Sequence, residues 1–173
     1  MKVRNMVLCA LFAALMAICA WICIPLGSFV FTLQSFAVFL ALLTLGGSRG
    51  TASVFVYLCI GLTGLPVFSG FRSGLGAFFD LTGGFLWGFL LCGLLFWLLT
   101  ALFGKKARIP GAILGMLCCY GCGMLWFCTV RNGGIDAGSL GSAFFLCVLP
   151  YLLPDAIKIA LAFLLSHKLK KFV

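Results

Sequence analysis

Hydrophobic and polar positions do not alternate along this chain. The apolar residues run together in long blocks, and the charges, prolines and glycine pairs collect between them. A helix of about 20 apolar residues spans the hydrocarbon core of a bilayer. The blocks predict six such helices. The first covers 5–24 and stops at Pro25-Leu26-Gly27, and the second covers 29–45 and ends at Gly46-Gly47. The third covers 51–65, the fourth 81–103, and the fifth 110–130, opened by Pro110 in a position that suits a first helical turn. The sixth covers 143–166 and carries Pro150 and Pro154. The third block is short for a span. After it, residues 64–84 are apolar yet full of helix breakers, beginning Gly64-Leu65-Pro66-Val67-Phe68-Ser69-Gly70. Non-helical backbone at membrane depth packs on protein or lines a cavity, so this stretch is expected to be a binding loop. A transmembrane barrel needs short alternating segments, which are missing. The expected architecture is an all-α integral membrane protein: one transmembrane substrate-binding unit over 1–173, built as a six-transmembrane-helix bundle.

Composition agrees with that pattern. The chain is 64% hydrophobic and 9% charged, against about 25% charged in an ordinary soluble domain. A net charge of +9 raises nucleic-acid binding, but the cations sit in short clusters between apolar blocks, so no nucleic-acid partner is expected. Their distribution sets orientation instead. With the N terminus inside, the inner segments hold Lys2, Arg4, Arg49, Lys105, Lys106, Arg108, Lys168, Lys170 and Lys171, while the outer loops hold Arg72 and Arg131. Basic residues favour the cytoplasmic side, so both termini are expected to be cytoplasmic. Met1–Ile24 has the charge pattern of a signal peptide. Its apolar stretch is long enough to span, and no small-x-small site follows, so it reads as a retained first helix.

The residues exclude several chemistries. No Gly-x-x-x-x-Gly-Lys-Ser/Thr loop is present to cradle nucleotide phosphates. The sole histidine, His167, lies in the tail, which removes a His-Glu-x-x-His site and a Ser/His/Asp triad. Ten cysteines are scattered through apolar blocks. Cys119-Tyr120-Gly121-Cys122 has redox or zinc spacing but no companion pair, so these cysteines read as small buried hydrophobes. No catalytic residue, metal or cofactor is expected.

Asp155 and Lys158 are the most informative positions. A charge near a helix centre costs about 2.5–3.5 kcal/mol on insertion scales. At ~1.5 Å per residue, they lie roughly 18 Å and 13 Å from the tail end of their helix at His167. Three residues apart, they share one face. An internal ion pair that neutralises itself is the plain reading. The functional one is a polar site within the bundle, where the carboxylate accepts from a ligand N–H and the ammonium donates to a ligand carbonyl. Thr32 and Gln34 at the start of the second helix, and Arg72, Asp80 and Thr82 in the outer loop, can converge on it. Tyr120 and Trp126 read more readily as packing or interface aromatics. Ala10 and Ala14, and Ala13 and Ala17, form small-x-x-x-small pairs that permit close helix approach in lipid. Gly84-x-x-x-Gly88 and Gly111-x-x-x-Gly115 read as packing within the bundle.

An ordered set of motifs runs through the chain: Phe31-Thr32-Leu33-Gln34, Gly61-Leu62-Thr63-Gly64-Leu65-Pro66-Val67-Phe68, Gly74-Leu75-Gly76, Thr82-Gly83-Gly84-Phe85, and Pro150-Tyr151-Leu152-Leu153-Pro154-Asp155-Ala156-Ile157-Lys158. The set resembles the BioY family, the biotin-specific S components of energy-coupling-factor transporters. The resemblance implies a six-helix, multi-pass subunit of a bacterial or archaeal plasma membrane. It implies biotin as transported ligand, captured from outside, with a transmembrane coupling protein and two ATP-binding-cassette ATPases as partners. It assigns the ligand site to Asp155 and Lys158, with Gln34, Thr32, Arg72, Thr82 and Phe85 around it and the 64–84 loop as its cap. It assigns docking on the coupling protein to the alanine face of Ala10, Ala13, Ala14 and Ala17. Asp80-Leu81 stands where the family usually has Gly-Pro, and Phe85 where it often has Tyr. An S component for another vitamin, and an intramembrane enzyme, are the alternative readings.

Overall fold

A computed structural model describes residues 3–26, 29–132 and 137–171. Lys2, Gly27 and residues 133–136 of the expected outer loop, including Gly133 and Asp136, lie outside the described residues. Among the described residues, eight α-helices and one pair of strands make up the fold. Helix α1 (Val3–Trp21) leads into an antiparallel hairpin of β1 (Cys23–Leu26) and β2 (Phe29–Thr32), with Cys23 opposite Thr32. Then come α2 (Gln34–Leu45), α3 (Gly47–Leu62), a 3-10 turn at Ser69–Phe71 and the short α4 (Gly74–Phe79). The chain continues through α5 (Gly83–Phe103), a 3-10 turn at Gly104–Ala107, α6 (Arg108–Asn132), α7 (Ala137–Cys147) and α8 (Leu149–Leu169).

Three described stretches are long and apolar enough to cross a membrane: Val3–Trp21, Gly83–Arg131 and Leu149–Leu169. The second is α5 and α6, which fold back on each other at the Gly104 turn, where φ is 68°. The α5–α6 contact is tight because small residues let the backbones close. A Cβ on Gly88 would lie 2.9 Å from the Cys119 sulfur, and one on Gly115 would lie 2.7 Å from the Cys92 sulfur. The packing expected of these glycines is therefore what they do, as lipid-embedded helix pairs require. α2 has only 12 residues, too few to span alone, but all except Phe36 are buried. A helix apolar on every side belongs in the centre of a bundle. Around it α1, α3, α5, α6 and α8 complete the six-helix bundle, with α2 packed on α1, α3 and α8.

Three expected boundaries are corrected. The first helix ends at Trp21, and the second begins at Gln34, because Cys23–Leu26 pairs with Phe29–Thr32 as strands. Pro25 has no N–H for a helix, and Phe29-Val30-Phe31-Thr32 is an aromatic and β-branched run that suits an extended pair. The 64–84 segment is not all loop, since it contains α4. The sixth helix is two, broken at Val148 just before Pro150, which takes the first turn of α8. Pro150 has no N–H to donate back to a carbonyl of α7, so the helical hydrogen-bond ladder is interrupted there.

Cations gather at one end of the bundle. Arg49 donates to Asn5 at 3.3 Å, joining the α3 and α1 starts. Gly47 lies against Trp97 and Thr100 near the end of α5. The hairpin and the 63–82 segment lie at the opposite end.

Candidate functional site

The floor of the site is built on α8. Pro154 removes a backbone donor inside the helix, and Asp155 and Lys158 follow it on the face turned to α2. Both are 5% exposed. Lys158 Nζ donates to Asp155 Oδ1 at 2.8 Å, to the Thr32 carbonyl at 2.6 Å and to Ser35 Oγ at 3.1 Å. Ser35 Oγ donates to Asp155 Oδ1 at 3.0 Å, and Tyr120 Oη donates to Asp155 Oδ2 at 2.6 Å. The Phe31 ring lies 3.9 Å from the ammonium, close enough for cation–π attraction. β2 thus supplies a carbonyl and a ring, the first turn of α2 a hydroxyl, and α6 a phenol. A buried charge pair is tolerable when further hydrogen bonds satisfy both ions, and here they do.

Above this floor is a cavity of about 120 Å³. Thr32, Gln34, Arg72, Thr82, Phe85, Asp155 and Lys158 all line it, whereas Asp80 does not and meets it only through Arg72. Gln34 is held from behind. It donates to Tyr57 Oη at 3.0 Å, and Tyr57 donates to the Val67 carbonyl at 3.0 Å. The helical walls are apolar, with Leu86, Phe89 and Met116. Phe85 seats its ring over Gly123, where a Cβ would meet ring carbons at 2.4 Å.

The 63–82 segment forms the lid. Phe68 stands edge-on to Tyr57 and to Phe78, both at 5.5 Å. Gly61 is needed beneath it, because a Cβ there would lie 1.9 Å from the Phe68 ring. Trp21 ties the end of α1 to the lid by donating to the Pro66 carbonyl at 2.8 Å and stacking on Phe71 at 5.3 Å. Phe71 holds φ of 60°, a costly conformation for a bulky residue. Arg72 pairs with Asp80 and donates to Thr82 Oγ1 at 3.0 Å and to the Ser69 carbonyl at 3.1 Å. Trp126 Nε1 donates to the Asp80 carbonyl at 2.9 Å, anchoring the lid to α6.

The chain matches the BioY family model over residues 1–173. The chain belongs to the BioY family. It is 34% identical to a probable biotin transporter BioY of Pyrococcus horikoshii, covering 98% of each chain. It is also 34% identical to the biotin transporter BioY of Thermotoga maritima, covering 97% of this chain and 96% of that one. Among solved structures, it resembles a crystal structure of the S-component for biotin from an ECF-type ABC transporter, with a TM-score of 0.82 and 26% identity over 98% of this chain and 92% of that one. Like the relatives it matches, the chain is a multi-pass membrane protein of a prokaryotic cell.

Parts of this candidate site carry no signal in the sequence. Ser35 is an ordinary serine at a helix start, and Tyr120 reads as a packing aromatic, yet both hold Asp155. Ser69 is equally inconspicuous in the sequence. Its hydroxyl is buried, lines the cavity and has no partner among the described residues. Asp80 carried the departure from the usual family pattern, and the structure pairs it with Arg72. The alanine face is corrected. Ala13 and Ala17 are 1% and 8% exposed and pack into the bundle, whereas Ala10 and Ala14 face outward. All four fall within one helix face about 100° wide, but the bundle covers Ala13 and Ala17 and leaves only Ala10 and Ala14 for a partner.

Proposed function

We propose that this chain is the biotin-binding membrane subunit of an energy-coupling-factor importer, capturing biotin in the cavity between the Asp155–Lys158 floor and the Arg72 lid. The observation that carries this reading is the meeting of a fixed polar network with an apolar wall and a lid cation around one cavity. A ureido ring offers N–H donors and a carbonyl acceptor, which suit Asp155 and Lys158. The fused rings suit Phe68, Phe85 and Phe89. A carboxylate tail suits Arg72, and the unpartnered Ser69 hydroxyl offers a further bond. At about 120 Å³ the cavity is below the ~300–1,000 Å³ typical of small-molecule sites, so the lid must shift as ligand enters. The subunit is a transporter component and not an enzyme. We read residues 1–173 as one unit.

Purified protein tests the ligand. Calorimetry is expected to give saturable binding of biotin and none of thiamine or riboflavin. Binding of another vitamin in place of biotin would move the chain to a different S-component specificity. Both termini are placed in the cytoplasm, on the strength of the cationic end. A cysteine reporter at Lys106, in a background without other cysteines, is expected to react only from the cytoplasmic side. Labelling from outside alone would invert the assignment.

The proposed partners are a transmembrane coupling protein and two ATPases. The outward alanines of α1, Ala10 and Ala14, are the proposed docking stripe. Ala14→Trp is expected to keep biotin binding while losing co-purification with the coupling protein and ATP-driven uptake. Ala13→Trp forces an indole into a core position and is expected to lower thermal stability by about 1–3 kcal/mol. Unchanged uptake in Ala14→Trp and in Ala10→Trp would remove α1 from the docking face.

A further inference from the structure

α6 and α8 stand apart. α6 packs on α5 and α7, and α8 packs on α2 and α7, but the two scarcely touch each other. Between them lies a crevice of about 450 Å³, walled by Ile109, Ile113 and Leu117 on one side and by Leu152, Ala160 and Phe163 on the other. Its inner end is formed by Tyr120 and Asp155, whose polar atoms already bond each other at 2.6 Å. Nothing along it asks for a polar ligand. Exposed neighbours such as Leu114, Leu161 and Leu164 make its rim a surface that lies in lipid.

The crevice ends, at Ile109 and Phe163, where the cations gather. Lys105 and Arg108 precede α6's apolar stretch, and Lys170 follows α8. Ile109 and Phe163 wall the same crevice, which puts Arg108, beside the first, and Lys170, two turns beyond the second, at one end of it. The Lys170 ammonium is held below its ordinary pKa by partial burial first, and then by repulsion from Arg108 and Lys105. Basic residues gathered at the mouth of an apolar crevice suit an anionic group there. The acidic side chains among the described residues, Asp80 and Asp155, are paired elsewhere with Arg72 and Lys158.

We propose that the α6–α8 crevice and the Lys105–Arg108–Lys170 cluster form one site for an anionic phospholipid, with an acyl chain in the crevice and the headgroup phosphate on the cations. Basic pockets between membrane helices take anionic headgroups in this way. The cations alone would hold any phosphate, and the crevice alone any acyl chain. Their junction selects a molecule that carries a negative charge at the head of a hydrocarbon chain. Charge complementarity distinguishes this occupant from a partner helix or a second copy of the chain, neither of which brings a phosphate.

The test is native mass spectrometry of the full chain, exchanged into equal amounts of phosphatidylglycerol and phosphatidylcholine with the same acyl chains. Wild type is expected to retain phosphatidylglycerol over phosphatidylcholine by roughly tenfold or more, given the attraction contributed by each basic residue. Arg108→Gln with Lys170→Gln removes that preference. Lys106→Gln with Lys168→Gln, at exposed cations outside the cluster, leaves it intact. Ala160→Phe narrows the crevice and lowers retention of both lipids while biotin binding persists. Equal retention of the two lipids by wild type overturns the site. So does an equal loss of preference in both glutamine pairs, which reduces the effect to a general basic belt. Displacement of phosphatidylglycerol by an equal concentration of free glycerol phosphate makes it a phosphate site without a chain seat. A dimer that excludes lipid assigns the crevice to a second copy.

Discussion

Two ion pairs frame the cavity, and they differ in almost every respect but their chemistry. At the floor, Asp155 and Lys158 have side chains 8% and 7% exposed and sit one turn apart on a rigid helix. At the lid, Arg72 and Asp80 are 38% and 41% exposed and belong to a segment of short turns and one six-residue helix. The floor pair is supported by Ser35, Tyr120 and the Thr32 carbonyl, from three separate elements. The lid pair is supported mainly from within its own segment, by Thr82, the Ser69 carbonyl and the Leu81 N–H. Away from water, a charge must be over-satisfied before it is tolerated. Near water, a pair is cheap to break and re-form. The floor is therefore suited to hold a fixed pattern of donors and acceptors, and the lid to exchange partners as a ligand enters.

The largest expected effect comes from splitting the floor pair. Asp155→Ala leaves the Lys158 ammonium buried with two of its three partners, and a broken buried pair costs about 3–5 kcal/mol. A large fall in melting temperature is expected, together with at least tenfold weaker biotin binding. The double variant Asp155→Leu with Lys158→Met removes both ions, and stability is expected to return to near the wild-type value while binding stays lost. Thermal melts and calorimetry on the three proteins separate the outcomes. A double variant as unstable as the single one would make the pair a structural brace rather than a ligand platform. Wild-type affinity in a folded Asp155→Ala variant would remove the residue from the site.

The floor was legible in the sequence only in its charges. Asp155 and Lys158 stand out because ionised groups in an apolar block are costly. Ser35 and Tyr120 carry no such signal. They meet Asp155 across 120 and 35 residues of chain, and a serine at a helix start or a tyrosine in a span is ordinary until the partner is placed. The bundle was legible for a related reason, since long apolar blocks leave little choice but helices in lipid. The hairpin at 23–32 was not, because a short apolar run reads equally well as helix or strand. Nor was the outward stripe of α1. In a bilayer the core-facing and lipid-facing sides are alike in polarity, so Ala13 and Ala14 look the same until burial divides them.

The lid pair is expected to give the smallest change in stability and the clearest change in specificity. Asp80→Asn removes a carboxylate from a half-exposed pair, and such pairs contribute about 0–1 kcal/mol. The melting temperature is expected to move little. The Arg72 guanidinium, however, loses its resident anion. A ligand carboxylate then meets a cation it no longer shares with Asp80, and biotin binding is expected to strengthen several-fold. Biotin methyl ester has the same rings without the charge, so its affinity is expected to stay where it was. Arg72→Gln runs the other way: biotin weakens toward the affinity of its ester, and added salt ceases to distinguish the two. The contrast between floor and lid fails if Asp80→Asn destabilises as strongly as Asp155→Ala, because the lid pair is then a fixed support. It fails differently if biotin and its ester respond alike to both lid variants. In that case Arg72 acts on the lid's closure and not on the carboxylate, and the polarity of the ligand's tail is read elsewhere in the cavity.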